Sequence, residues 1–136
     1  MEADLILLHR KTVMVIDDDA ENRATVADLL ELNGYLVTQA ANGSDALAQL
    51  KLGAPPPALI LLDLIMPVMD GRAFIRRTRS RSWLARVPIV VMAEDPKPVP
   101  AITAAVAILK KPFAGNTLLN CVNRYAAATA TPPPLR

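Results

Sequence analysis

Four charged residues of this chain stand where charge on its own would be costly. Asp17 and Asp18 follow the apolar run Thr12-Val13-Met14-Val15-Ile16, and Asp63 follows Ala58-Leu59-Ile60-Leu61-Leu62. Lys111 comes just after Val106-Ala107-Ile108-Leu109. Short apolar runs bounded by turn residues read as strands buried on both faces. Each charge then sits at a strand's carboxyl end, where open α/β sheets keep their ligands. Carboxylates that meet there repel, and at least one pKa must rise. A divalent cation relieves the repulsion. Oxygen-only donors, with no His or Cys nearby, suit Mg²⁺ (or Mn²⁺) better than zinc or a caged Ca²⁺. Lys111 adds a point charge that pairs with Asp63 at rest, or with a phosphoryl group carried on it. A carboxylate beside a divalent ion and a lysine can attack phosphorus and hold the acyl phosphate formed. Any one of these residues alone would read as a turn former or a helix cap. The set is what points to chemistry.

The elements that must position these residues alternate along the chain. After the first strand, apolar positions Ala24, Val26, Ala27, Leu29, Leu30 and Leu32 recur at helical spacing, with Asp19 as N-cap and Gly34 as the stop. Tyr35–Thr38 reads as strand two, and a helix follows Asn42-Gly43-Ser44 through Leu47 and Leu50. It is stopped by Gly53 and prolines 55 to 57. Strand three runs into Asp63, a turn on Pro67 and Asp70-Gly71, and a helix carrying Ala73, Phe74 and Ile75 that fades near Ser80 to Ser82. Pro88–Met92 is strand four. The prolines at 96, 98 and 100 forbid a helix there, so any fourth helix is short and begins near Pro100. Strand five, Val106–Leu109, precedes a last helix from about Ala114 to Ala127, with Leu118, Leu119, Val122 and Tyr125 inward. Strand and helix alternating in this way require a parallel sheet with helices on both faces.

The 136 residues suffice for one domain with a sizeable core, and 52% hydrophobic content excludes a disordered chain. A net charge of +2 is too small to imply a polyanionic partner. One cysteine, Cys121, rules out a disulfide framework and fits a reducing cytoplasm; by spacing it belongs to the core face of the last helix. No apolar run approaches the roughly 18 residues that cross a bilayer. The boundaries read as a lead over residues 1–10, a domain over 11–127, and a Pro-rich tail or linker start over 128–136.

With these residues in hand, the chain resembles a response-regulator receiver domain of two-component signalling, over roughly residues 11 to 127. The resemblance rests on Val15-Ile16-Asp17-Asp18-Asp19, on Leu62-Asp63-Leu64-Ile65-Met66-Pro67-Val68-Met69-Asp70-Gly71, on Pro88–Met92, and on Lys111-Pro112-Phe113. It implies a flavodoxin-like sheet of order 2-1-3-4-5, with Asp63 as phosphoacceptor. Asp17, Asp18, Asp63 and the Ile65 carbonyl would hold Mg²⁺, Lys111 would contact the phosphoryl oxygens, and the bond before Pro112 would be cis. Phosphate would come from a sensor histidine kinase or a His-phosphotransfer protein, and output would pass to a partner or output domain by protein contact. The domain would not be an enzyme beyond assisting its own phosphorylation and dephosphorylation.

Departures from the family pattern fall on one side. Strand four normally ends in Thr or Ser, but Ala93 stands there, and no hydroxyl residue occurs between Ser82 and Thr103. Glu94 follows where a small residue is usual, and its carboxylate would repel an incoming phosphoryl dianion unless it points away. Ile108 replaces the strand-five aromatic that rotates with the hydroxyl. The 18 positions from Ala93 to Lys111 are fewer than usual, which shortens the fourth helix. Acceptor and metal residues are present, whereas the relay residues are not. An atypical switch is expected, or else a phosphorylation-independent interaction module.

Other features read more simply. Six arginines lie between Arg72 and Arg86 and favour a solvated helix face over nucleic acid, because only Phe74 and Trp83 could stack. Trp83 reads as a cover over a helix end. His9, the only histidine, lies outside the domain and leaves a His-based role without support. Leu5 to Leu8 could extend a sheet edge, pack on the domain or meet a second chain, so a homodimer stays open. A haloacid-dehalogenase-like phosphatase, with Asp17 as nucleophile and Asp19 as acid/base, would leave the Asp63 motif unexplained.

Overall fold

A computed structural model describes residues 11–51, 54–66, 69–95 and 105–130. Strands β1 (Thr12–Ile16), β2 (Leu36–Ala40), β3 (Leu59–Asp63), β4 (Ile89–Ala93) and β5 (Ala107–Lys110) form one sheet. Its order is β2-β1-β3-β4-β5, and every pairing is parallel. The described helices are α1 (Ala20–Leu32), α2 (Gly43–Gln49), α3 (Gly71–Arg79) and α4 (Gly115–Ala130). The expected flavodoxin-like architecture is therefore the observed one. The place expected for a short helix after Pro100 lies outside the described residues, as do His9, Leu5 to Leu8 and the terminal prolines.

Alternation along the central strands divides the core in two. Met14, Ile16, Ile60, Leu62, Ile89 and Val91 face one side, where they meet Ala46 and Leu47 of α2 and Phe74 and Ile75 of α3. Val13, Val15, Leu59, Leu61, Val90 and Met92 face the other, against Val26 and Leu30 of α1 and Leu118 and Val122 of α4. β3 and β4 are buried at every position, as central parallel strands require. Burying each Leu, Ile or Val side chain contributes roughly 1.5–3 kcal/mol, so this double layer fixes the sheet's register.

Several boundaries move by a residue or two. β4 starts at Ile89 rather than Pro88 because proline has no N–H for the ladder, although its carbonyl accepts from Ile60 at 3.0 Å. β2 runs two residues past Thr38, to Ala40, and α4 continues to Ala130. α1 does end at Asn33-Gly34, and Gly34 takes the positive φ of 96° that such an exit needs. Two positions of the helical pattern face solvent: Ala24 is exposed, and so, at 84%, is Leu32. Leu32 stands two positions after buried Leu30 and so points to the opposite side of the last turn.

Candidate functional site

The β1–α1 turn presents the first two carboxylates. Asp19 caps α1, its Oδ1 accepting from the N–H groups of Glu21 (3.0 Å) and Asn22 (3.1 Å). The chain therefore leaves the sheet directly after Ile16, with Asp17 buried and Asp18 exposed at the lip. Asp17 is held by both its backbone and its side chain. Its N–H donates to the Ala40 carbonyl at 3.2 Å, and its Oδ1 accepts from the Asp19 N–H at 2.9 Å.

Asp63 is the last residue of β3, beside β1, and is 8% exposed. The turn after it folds back on the strand end: the Gly71 N–H donates to the Leu64 carbonyl at 2.8 Å, and Asp70 caps α3 through Ala73 at 3.0 Å. Lys111 is set by a bond from its N–H to the Ala93 carbonyl at 2.8 Å. The bond between Lys111 and Pro112 is cis, as the resemblance implied.

These elements bring the four expected residues together. Carboxylate oxygens of Asp17, Asp18 and Asp63 all lie within 4.8 Å of one another. Lys111 Nζ stands 3.6 Å from Asp17 Oδ2 and 3.6 Å from Asp63 Oδ1. Burial is the main force that pushes the Asp63 carboxyl up from 3.8 to about 6. Lys111 opposes that rise, whereas the charge of Asp17 and a hydrogen bond shared with Asp18 add to it. The backbone N–H of Ile65 donates to Asp63 and lowers the value slightly. With all three carboxylates ionised, one lysine leaves two negative charges uncompensated, and the donor set fits a hard divalent cation.

A cleft of about 480 Å³ opens onto the cluster, with Ile65, Ala93 and Glu94 on its walls. A second, of about 440 Å³, shares Asp17, Asn22, Glu94 and Lys111 and runs on to Thr25, Val26 and Phe113. The side chain of Ile65 is 76% exposed at this rim. Ala93 is buried at the end of β4, and Ile108 is half exposed on the edge strand β5, so neither place carries a hydroxyl or an aromatic ring. Glu94 is exposed on the cleft wall.

Elsewhere the simpler readings of the sequence suffice. Arg79 braces the exit of α3 through the carbonyls of Ala85 (3.1 Å) and Val87 (3.3 Å). Arg81 lies over the Trp83 ring at 5.8 Å, and Trp83 packs on the α2–α3 side of the core. Cys121 is half-buried on the opposite side, where burial pushes its thiol up. The residue that sequence reasoning passed over is Arg23, whose Nη1 donates to the Asp17 carbonyl at 2.7 Å. Its only signal was a cation within the first turns of a helix that starts at the site.

Comparison with known proteins agrees with this fold. The response regulator receiver domain family matches residues 13–123. The chemotaxis protein CheY of Bacillus subtilis is 30% identical over 121 residues, covering 87% of this chain and 98% of that protein. The two-component response regulator ORR6 of Oryza sativa is 33% identical over 87 residues, which is 63% of this chain and 51% of that protein. The sensor histidine kinase CheAY of Helicobacter pylori is 28% identical over 116 residues, only 14% of its length. The chain thus spans about half of the rice regulator and a small part of the kinase. Among solved structures, the chemotaxis response regulator CheY4 of Vibrio cholerae superposes with a TM-score of 0.78 at 32% identity, covering 85% of this chain and 98% of that one. The receiver domain of sensor histidine kinase PA1611 from Pseudomonas aeruginosa, described with a magnesium ion in its active-site cleft, shares the fold with a TM-score of 0.78 at 24% identity and covers 87% of this chain and 98% of that one. The chain belongs to the response regulator receiver domain family.

Proposed function

We propose that this receiver domain accepts a phosphoryl group on Asp63 from a phosphohistidine of a sensor histidine kinase or a His-phosphotransfer protein. The observation that carries the reading is the meeting of three carboxylates within 4.8 Å, with Lys111 3.6 Å from two of them. Asp17, Asp18 and Asp63, with the Ile65 carbonyl, would hold Mg²⁺ or Mn²⁺; a magnesium ion is described in the cleft of the Pseudomonas receiver. Bound there, the cation neutralises the carboxylates and the charge that builds on the phosphoryl oxygens.

The side chains of the domain supply the rest. An Asp63 oxygen bonds to phosphorus as the P–N bond of the donor breaks, and the departing imidazole keeps the electron pair. Lys111, already between Asp17 and Asp63, turns its ammonium to the transferred group. Glu94 on the cleft wall repels an incoming phosphoryl dianion and so slows its entry. Because Ala93 and Ile108 cannot form the usual hydroxyl–aromatic pair, the acyl phosphate acts on a partner through the β1–α1, β3–α3 and β5–α4 loops. The half-buried thiol Cys121 fits a cytoplasmic setting.

A second reading keeps the fold as a phosphorylation-independent interaction module, and the same Ala93, Glu94 and Ile108 favour it. Acetyl phosphate with Mg²⁺, followed by a mobility-shift gel on the wild type and Asp63→Asn, separates the two. A shifted band in the wild type only supports the acceptor. No shift in either leaves the module.

A further inference from the structure

Arg23 lies one turn into α1, its N–H bonded to the Asp19 carbonyl at 2.9 Å. Its guanidinium reaches back to the turn it has just left. Nη1 donates to the main-chain oxygen of Asp17 at 2.7 Å, and Nε donates to Gln39 Oε1 at 3.2 Å. No backbone N–H among the described residues donates to that Asp17 oxygen, which stands where β1 has ended. Gln39 is tied in turn, since its carbonyl accepts from Nε2 of Gln49, the last residue of α2, at 2.9 Å.

We infer that Arg23 is a positioning residue of the carboxylate site, fixing the β1–α1 turn that presents Asp17 and Asp18 by fastening it to the edge strand β2. The inference rests on the reading of this cluster as a cation site. Its logic lies in the choice of acceptor. A guanidinium bonded to the backbone of Asp17 could instead have paired with a carboxylate and competed with the ion. Here it takes a carbonyl and an amide oxygen, and so leaves the carboxylate oxygens to other partners. Two donors of one rigid fork span turn and strand together, which a lysine's point charge does not do. Groups that orient metal ligands in this way change affinity without touching the ion.

The direction of the effect separates positioning from charge. Loss of a nearby positive charge would by itself tighten cation binding. Loss of the fastening weakens it. Isothermal titration of Mg²⁺ into the full chain is expected to give about tenfold weaker binding for Arg23→Met. Gln39→Leu, which keeps the charge, is expected to bind a few-fold more weakly. Arg23→Lys should fall between Arg23→Met and the wild type. The amide resonances of Asp18 and Asp19 should move in the metal-free variants. A folded Arg23→Met that binds Mg²⁺ as tightly as the wild type, or more tightly, overturns the inference. If Arg23→Met does not fold, unchanged affinity in Gln39→Leu overturns it instead. A wild type that binds no Mg²⁺ defeats the cation-site reading and this inference together; equal binding in all variants defeats only the role of Arg23.

Discussion

A Cβ placed on Gly71 would lie 2.9 Å from both the Cα and the carbonyl oxygen of Leu64, closer than side-chain carbons come to backbone. Glycine is required here by close approach, not by its φ. The first residue of α3 is pressed against the chain just past Asp63, and the same Cβ would lie 3.1 Å from the Asp63 carbonyl oxygen. Gly71→Ala is therefore expected to cost about 1–3 kcal/mol by forcing backbone apart. Urea unfolding measures that loss, and Mg²⁺ affinity should fall with it because the displaced backbone carries Asp63.

Asp63 makes metal-free stability depend on pH in an unusual direction. Its carboxyl titrates at about 6 in the folded chain, against an ordinary value of 3.8. Between those values the folded state keeps a proton that the unfolded state releases. The contribution of Asp63 to stability is thus greatest below about pH 4, declines as pH rises, and levels off above about 6. Asp63→Asn removes that slope. Without metal it should be more stable than the wild type at pH 7 by about 1–3 kcal/mol, read from paired denaturation curves at pH 4.5 and 7.

Cation binding should show the opposite dependence. Protonated Asp63 cannot ligate a hard ion, so the Mg²⁺ affinity of the wild type should fall roughly tenfold per pH unit below about 6. Asp18→Asn takes away the exposed carboxylate of the trio and should weaken binding more than tenfold at pH 7.5. Titration calorimetry at pH 5 and 7.5 checks both.

The missing hydroxyl predicts a confined response. With Mg²⁺ and beryllofluoride, amide shifts should concentrate at residues 17–19, 63–65 and 111 and leave β5 nearly unmoved. Ala93→Thr places a hydroxyl on the wall of the 480 Å³ cleft, where there is room for it. Its stability should change by less than about 1 kcal/mol. Wide shifts across β5 in the wild type would contradict the atypical switch.

Much of this was legible beforehand, for identifiable reasons. Asp63 was visible because five apolar residues lead into it, and such a run between turn residues has few fates other than a buried strand. Ala93 and Ile108 were visible by their place relative to Asp63 and Lys111, and the structure puts them at the end of β4 and on β5. Leu32 was misleading, because helical spacing does not say which side of a final turn meets solvent. Arg23 was invisible for a different reason. Its bond to Asp17 depends on how sharply the chain turns between β1 and α1, and residue spacing carries no such angle. The raised titration of Asp63 could be expected from crowded carboxylates, but the dominance of burial over charge required the packed sheet.

The pairing of β1 with β3 has a consequence for assembly. Val15 meets Leu61 across 46 positions of chain, so Asp17 and Asp63 become neighbours only after a long loop has closed. No fragment holding just one of these strands can offer the ion its full ligand set. Cation binding at the proposed site would therefore be linked to completion of the fold, and Mg²⁺ at a hundred times its dissociation constant would add about 2.7 kcal/mol to the native state alone.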